Sequence, residues 1–188
     1  VVNFNKKYLV GVAAFFCASA MAASAQNSSL PEKIDILECD GSKVELISIC
    51  QNDTVAKSED HSGLPVCTDQ IIKINGQENR RKIDKISQLT SSGSTVKILS
   101  NVVVSMACIK GSQGSLISIG GYGGCGACPE WHGYYSLDGK LVNYVYSNSF
   151  RSFGSLGSRD DLINKYGVSK RDLVDESSFA KKITYPGL

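Results

Sequence analysis

Charge of either sign is scarce in this chain. Only 20% of its 188 residues are charged, and Lys and Arg outnumber Asp and Glu by 20 to 18. That is no basic excess of the kind that draws nucleic acid or an anionic membrane. Four prolines and eighteen glycines without an internal repeat exclude a collagen-like or low-complexity chain. The Gly-x-Ser-x-Gly elbow of the α/β hydrolases is absent. So is any calcium-loop spacing, and no pair of carboxylates stands out. No long helical pattern separates the strand-like segments, which excludes a parallel α/β fold. What remains, at 42% hydrophobic residues, is long enough to bury a real core as a single domain.

The N-terminus reads as a secretory leader. Lys6 and Lys7 form a short positive region, an uncharged run from Tyr8 to Cys17 follows, and Ala23-Ser24-Ala25 supplies the small residues of a cleavage site. Cleavage is expected before Gln26, with a second possible site after Ala22. The uncharged stretch extends from Tyr8 to Gln26, but its second half is Ala and Ser and no positive cluster stops it, so a transmembrane anchor is disfavoured. Phe16 before Cys17 is too large for a lipoprotein site. Residues 1–25 are thus the expected signal peptide, and residues 26–188 a single secreted β-rich domain, periplasmic or outside the cell. Without the leader, Lys6, Lys7 and Cys17 are gone. That leaves no net charge and an even six cysteines.

Turn signals recur at short intervals between β-branched and aromatic segments. Asp40-Gly41 predicts a hairpin joining 33–39 to 43–50, with Glu38 opposite Lys43. Residues 51–64 read as a polar loop. Residues 66–74 form a strand turning at Asn75-Gly76, with a return over 77–86. Residues 96–109 alternate apolar and polar, with even positions core-facing and a break expected near Ser100-Asn101. Asp138-Gly139 predicts a third hairpin, 131–136 with 141–147, in which Ser136 faces Leu141 and Tyr135 faces Val142. Ser158 and Ser169 then read as N-caps of two short helices, with Gly167 ending the first. Leu162, Ile163, Tyr166, Leu173 and Val174 should dock on the sheet. The expected fold class is mainly β: an antiparallel sandwich or open barrel, disulfide-stapled, with a short helical C-terminal cap.

Six cysteines in an oxidising compartment predict three disulfides. Cys39 and Cys50 lie too far apart along one hairpin to bridge. The favoured pairing is Cys39 with Cys108, Cys50 with Cys67, and Cys125 with Cys128. Cys125-Gly-Ala-Cys128 admits two other uses. A thiol–disulfide site needs a helix N-terminus to lower the thiol pKa, whereas Pro129, Glu130 and a hairpin follow here. A structural zinc site would take Cys125, Cys128 and His132, with Cys108 as a fourth ligand.

In the third hairpin, strand alternation puts Trp131, Tyr135, Tyr144 and Tyr146 on one face, with His132 and Tyr134 on the other. Tyr144 lies across Gly133. Such a face is either a core wall or a binding platform for a protein or sugar. The glycines of 120–126 suit close backbone crossings better than a phosphate loop, which needs a helix after it. His61 reads as an exposed loop residue. Arg80-Arg81-Lys82 with Lys85 reads as a solvated return strand whose charges blunt a sheet edge.

Glu38-Cys39-Asp40-Gly41 resembles the opening of bacterial periplasmic lysozyme inhibitors, which are small disulfide-bonded β-barrels. The resemblance covers the first hairpin alone. The later motif of that group is absent, so no inhibitory residue is carried over. The favoured functional expectation is a non-catalytic binding module for a protein or a cell-envelope glycan, inhibitor- or immunity-type included. Its binding residues would be Trp131, Tyr135, Tyr144 and Tyr146. It implies no cofactor, no nucleic acid and no membrane span after leader cleavage. The alternatives are a thiol–disulfide or zinc-handling protein using Cys125 and Cys128, and a hydrolase whose site is scattered in sequence.

Overall fold

A computed structural model describes residues 32–51, 65–89, 93–125, 127–176 and 178–185. The expected leader, the loop carrying His61 and Gly126 of the glycine run lie outside the described residues.

Period-two sequence becomes antiparallel sheet throughout. β1 (Glu32–Cys39), β2 (Ser42–Gln51), β3 (Val66–Ile74) and β4 (Gln77–Asn79) form a four-stranded sheet in that order. β5 (Lys85–Leu89) pairs with β6 (Thr95–Leu99) as a small ribbon. The remaining strands are β7 (Val102–Gly111), β8 (Gly114–Tyr122), β9 (Glu130–Tyr135), β10 (Leu141–Ser147), β11 (Ser152–Leu156) and β12 (Lys181–Lys182). They form a six-stranded sheet in the order β11-β10-β9-β8-β7-β12. Asp40-Gly41 and Asn75-Gly76 make the tight turns their left-handed backbone requires, φ 46° and 83° in the first, 50° and 81° in the second. Glu38 sits opposite Lys43.

One core joins the two larger sheets. Val44, Leu46, Ile72 and Ile74 from the first meet Val103, Met106, Ile117, Ile119 and Trp131 from the second. The second core lies on the opposite face of the large sheet. There α1 (Arg159–Tyr166), α2 (Lys170–Val174) and the link between them lay Leu162, Leu173 and Val168 on Ile109, Leu116 and Tyr134. Ser158 and Asp161 close a capping box, Ser169 caps α2, and Gly167 ends α1 with φ 66°. The mainly β, antiparallel, disulfide-stapled architecture with two C-terminal helices matches the sequence reading. So does the break at Ser100-Asn101, which separates β6 from β7.

Four local expectations are corrected. The 77–86 return pairs with β3 only over β4; the chain then leaves, and β5 pairs with β6 instead. β7 is not core-facing at even positions alone, because Val103, Ala107 and Ile109 are buried too. A bulge at Val103/Ser105 and the helices covering the second face explain both. Tyr135 faces Leu141 rather than Val142, since a bulge falls between Leu141 and Asn143. Val174 is 64% exposed instead of docked, because α2 ends at that residue.

The disulfides pair as expected: Cys39–Cys108, Cys50–Cys67 and Cys125–Cys128. The first ties β1 to β7, and so one sheet to the other. Three such bonds are what an oxidising compartment maintains. Among the described residues no helix is long and apolar enough to cross a membrane.

Candidate functional site

The aromatic face of β9 and β10 is a core wall. Trp131, Tyr135 and Tyr146 are 2%, 1% and 5% exposed, and Tyr144 packs half-buried against them. Trp131 faces Tyr146 and Gly133 faces Tyr144, the register expected from alternation. The Trp131 indole folds over Gly133, whose missing Cβ makes the space, and stacks on Tyr144 with ring centroids 6.3 Å apart. Tyr146 Oη donates to Asp84 Oδ2 at 3.1 Å. These rings turn inward because the first sheet covers them. A platform built on Trp131, Tyr135 and Tyr146 is therefore corrected to a packed interior.

Beneath Trp131 lies a residue the sequence reading had placed in solvent. Arg81 turns inward, its guanidinium 5.6 Å from the indole centroid. Nη2 donates to Gln70 Oε1 at 2.7 Å and to the Asn101 carbonyl at 3.2 Å, and Nη1 donates to Asn101 Oδ1. All of these acceptors are neutral, and among the described residues no carboxylate pairs with Arg81. Burial accordingly pulls its guanidinium down to about 10. Gln70 is the hub of this network. Its Oε1 also accepts from Val103 N at 2.8 Å, and its Nε2 donates to Ser48 Oγ at 2.9 Å and Tyr185 Oη at 2.8 Å. The same Asn101 that receives Arg81 keeps a buried Nδ2 without a partner, the only such side-chain atom among the described residues. Its neighbour Arg80 behaves as expected of an exposed cation, pairing with Asp69 and, at 2.8 Å, with Glu78.

Arg81 opens on a cleft of about 140 Å³ lined also by Asp69, Gln70, Arg80, Ile83, Lys85 and Leu99. Lys85 Nζ donates to the Thr68 carbonyl at 2.8 Å and, among the described residues, has no carboxylate partner either. The chain leaves the sheet at Arg80 and rejoins one at Lys85, and this excursion brings both cations to the same space. No periodicity marks it. The one signal in the sequence was a basic run that failed to alternate with apolar residues as a strand should.

The cysteines and His132 do not assemble a zinc site. Cys108 is bonded to Cys39 and Cys125 to Cys128. His132 instead contacts Ser118 and Glu176, and no metal-holding cluster of three His, Cys, Asp or Glu occurs among the described residues. Cys128 leads directly into β9, so the Cys125–Cys128 pair lacks a helix N-terminus that would favour a thiolate.

Ser118, His132 and Glu176 do form a cluster that sequence reasoning missed, because they lie on β8, on β9 and past α2. Ser118 Oγ is 2.9 Å from His132 Nε2 and donates to Glu176 Oε1 at 2.5 Å; Glu176 Oε1 is itself 2.9 Å from Nε2. In a nucleophilic triad the acid holds one ring nitrogen while the other takes the hydroxyl proton. Here acid and hydroxyl share Nε2, and Ser118 is wholly buried. The arrangement anchors the segment after α2 to the sheet and presents no accessible nucleophile.

The outward face of the first sheet is a different kind of surface. Ile34, Ile47 and Ile71 stand in one cross-strand row, flanked by Ile36 and Ile49. Ile34 is 52% and Ile36 43% exposed, and the other three are half-buried. On its rim Lys43 pairs with Glu45 at 2.7 Å and Arg80 with Asp69 and Glu78.

No protein-family model, curated protein or solved structure matches the chain. The likeness of the first hairpin to the lysozyme inhibitors is carried no further.

Proposed function

We propose that the protein is a non-catalytic binding module, secreted or periplasmic, that recognises a protein partner through the isoleucine face of β1, β2 and β3. The observation that carries this reading is the contiguous row Ile34–Ile47–Ile71 with Ile36 beside it, left open on an otherwise covered sheet. Contiguous exposed apolar surface of this kind marks interaction sites. A centre of isoleucines inside a charged rim, part of it paired as Lys43–Glu45 and Arg80–Asp69, is the anatomy of a protein–protein contact. A glycan fits less well, because the rings that would stack on sugars are inside. The contact is face-on rather than strand addition, since Lys181 Nζ donates to the Ile36 carbonyl at 2.6 Å and blunts the β1 edge. The lack of an accessible nucleophile at Ser118 and of a helix behind Cys128 supports the non-catalytic reading over the hydrolase and redox alternatives.

A photo-crosslinking residue placed at Ile34 or Ile71 in the producing cell tests this. The expected result is one discrete conjugate shared by both positions, absent from a control at Lys140, and abolished by I36S with the fold intact by circular dichroism. Conjugates at all three positions, or none at Ile34 and Ile71, overturn the reading. A conjugate made only of two copies of this chain turns it into self-association.

A further inference from the structure

We propose that the cleft beside Arg81 is a binding site for a carboxylate carried on a short aliphatic chain. A guanidinium has five N–H groups. Both of those on Nη2 and one on Nη1 are engaged, and among the described residues Nε–H and the second Nη1–H have no acceptor. Lys85 has three N–H groups and spends one of them on the Thr68 carbonyl. Two cations thus line one cleft with no carboxylate paired to either among the described residues, while the third, Arg80, is held by Asp69 and Glu78. A guanidinium turned inward as that of Arg81 is normally matched by an anion, and here the described residues supply it only amides, while Lys85 stands exposed beside it. An incoming carboxylate would complete the pairing.

The lining also selects the ligand. Asp69 faces the same cleft, so a dianion such as phosphate meets a repelling charge that a monoanion meets less. Ile83 and Leu99 give the cleft an apolar wall, suited to the methylenes behind a carboxylate. A volume of about 140 Å³ admits a few heavy atoms, the size of propionate or of a Glu side chain. The ligand is therefore either a small free acid or a side chain presented by a protein. The site does not depend on what covers the isoleucine face.

Trp131 is the only tryptophan, and its indole lies against the Arg81 guanidinium, so its fluorescence reports on the cleft. The oxidised full chain is titrated with sodium propionate, with sodium chloride at equal ionic strength, and with neutral propionamide. Calorimetry is run alongside. A saturable response to propionate alone is expected. K85Q, at an exposed position, should weaken it a few-fold, and R81Q by about tenfold or more. Should R81Q not fold, K85Q and R81K carry the comparison. If propionate is silent, a capped tripeptide with a central Glu is compared with its Gln counterpart. A response to the Glu peptide alone assigns the carboxylate to a protein. Silence in both arms, or a response that chloride reproduces or that K85Q and R81K leave unchanged, overturns the proposal.

Discussion

Gly121 makes the room in which Arg81 lies. A Cβ at this position would run into the Arg81 guanidinium and come within 2.6 Å of Asn101 Oδ1. Its φ is not left-handed, so the requirement for glycine is one of space. G121A should push the guanidinium off Asn101 and out from under Trp131. Overpacking of this kind destabilises by about 1–3 kcal/mol. A urea titration followed by Trp131 emission checks it: the midpoint should fall and the folded emission should change. An unchanged midpoint and spectrum would mean that Arg81 does not sit where the fold places it.

The three disulfides should contribute unequally. Cys39 and Cys108 are 69 residues apart, Cys50 and Cys67 are 17 apart, and Cys125 and Cys128 only 3. By the chain-entropy relation these loops are worth about 4, about 3 and about 2 kcal/mol. The first also locks one sheet onto the other, whereas the last closes a surface turn. Paired Cys-to-Ser variants compared by thermal unfolding should therefore rank C39S/C108S lowest and C125S/C128S nearest the parent. The reverse order would give Cys125–Cys128 an importance that loop length does not.

Much of this fold was legible because its signals are local. Asp40-Gly41, Asn75-Gly76 and the capped helices at Ser158 and Ser169 are set by residues a few positions apart. The Cys39–Cys108 pairing was the favoured one because alternation turned Cys108 to the core face, where it could meet Cys39. What escaped were features decided by a neighbouring layer. Alternation placed Trp131, Tyr135 and Tyr146 on one face of β9 and β10, yet could not say that the first sheet would cover it. Arg81 looked like its exposed neighbour Arg80 because its acceptors, Gln70 and Asn101, come from β3 and the β6–β7 break. The isoleucine face was hidden for the opposite reason. In β1, Ile34 and Ile36 alternate with Lys33 and Asp35, a pattern that by itself turns the isoleucines toward a core, and only the structure shows their face open.

Stability should fall sharply in alkali. Burial pushes Tyr134, Tyr135 and Tyr185 each up to about 12, against about 10 for a free phenol. Between those values the unfolded chain loses phenolic protons that the folded one keeps, so stability drops as pH rises. Each group contributes on the order of 2–3 kcal/mol across the window. Arg81 opposes them. Its guanidinium is drawn down to about 10, so above that pH the folded state sheds a proton that the unfolded state retains, and stability is regained. One arginine against three tyrosines leaves a net loss. The urea midpoint should hold to about pH 9 and fall steeply from about pH 10 to 12. A midpoint that rises in that interval would show Arg81 outweighing the tyrosines.

The Ser118–His132–Glu176 cluster should behave as an anchor and not as a catalyst. Ser118 Oγ donates to Glu176 Oε1, and both meet His132 at the same nitrogen. Acid and hydroxyl compete for one ring nitrogen instead of holding the two nitrogens as a nucleophilic triad requires, and the hydroxyl is wholly buried. A fluorophosphonate, which phosphonylates activated serines with loss of fluoride, should leave the folded protein unlabelled. S118A should instead be felt as lost stability, about 1–3 kcal/mol, because the largely buried Glu176 carboxylate loses a donor. The loss should be local, with earlier proteolysis in the segment after α2 while protection of β7 and β8 amides from hydrogen exchange persists. Labelling of Ser118, or S118A with unchanged proteolysis and stability, would return the cluster to the list of candidate active sites.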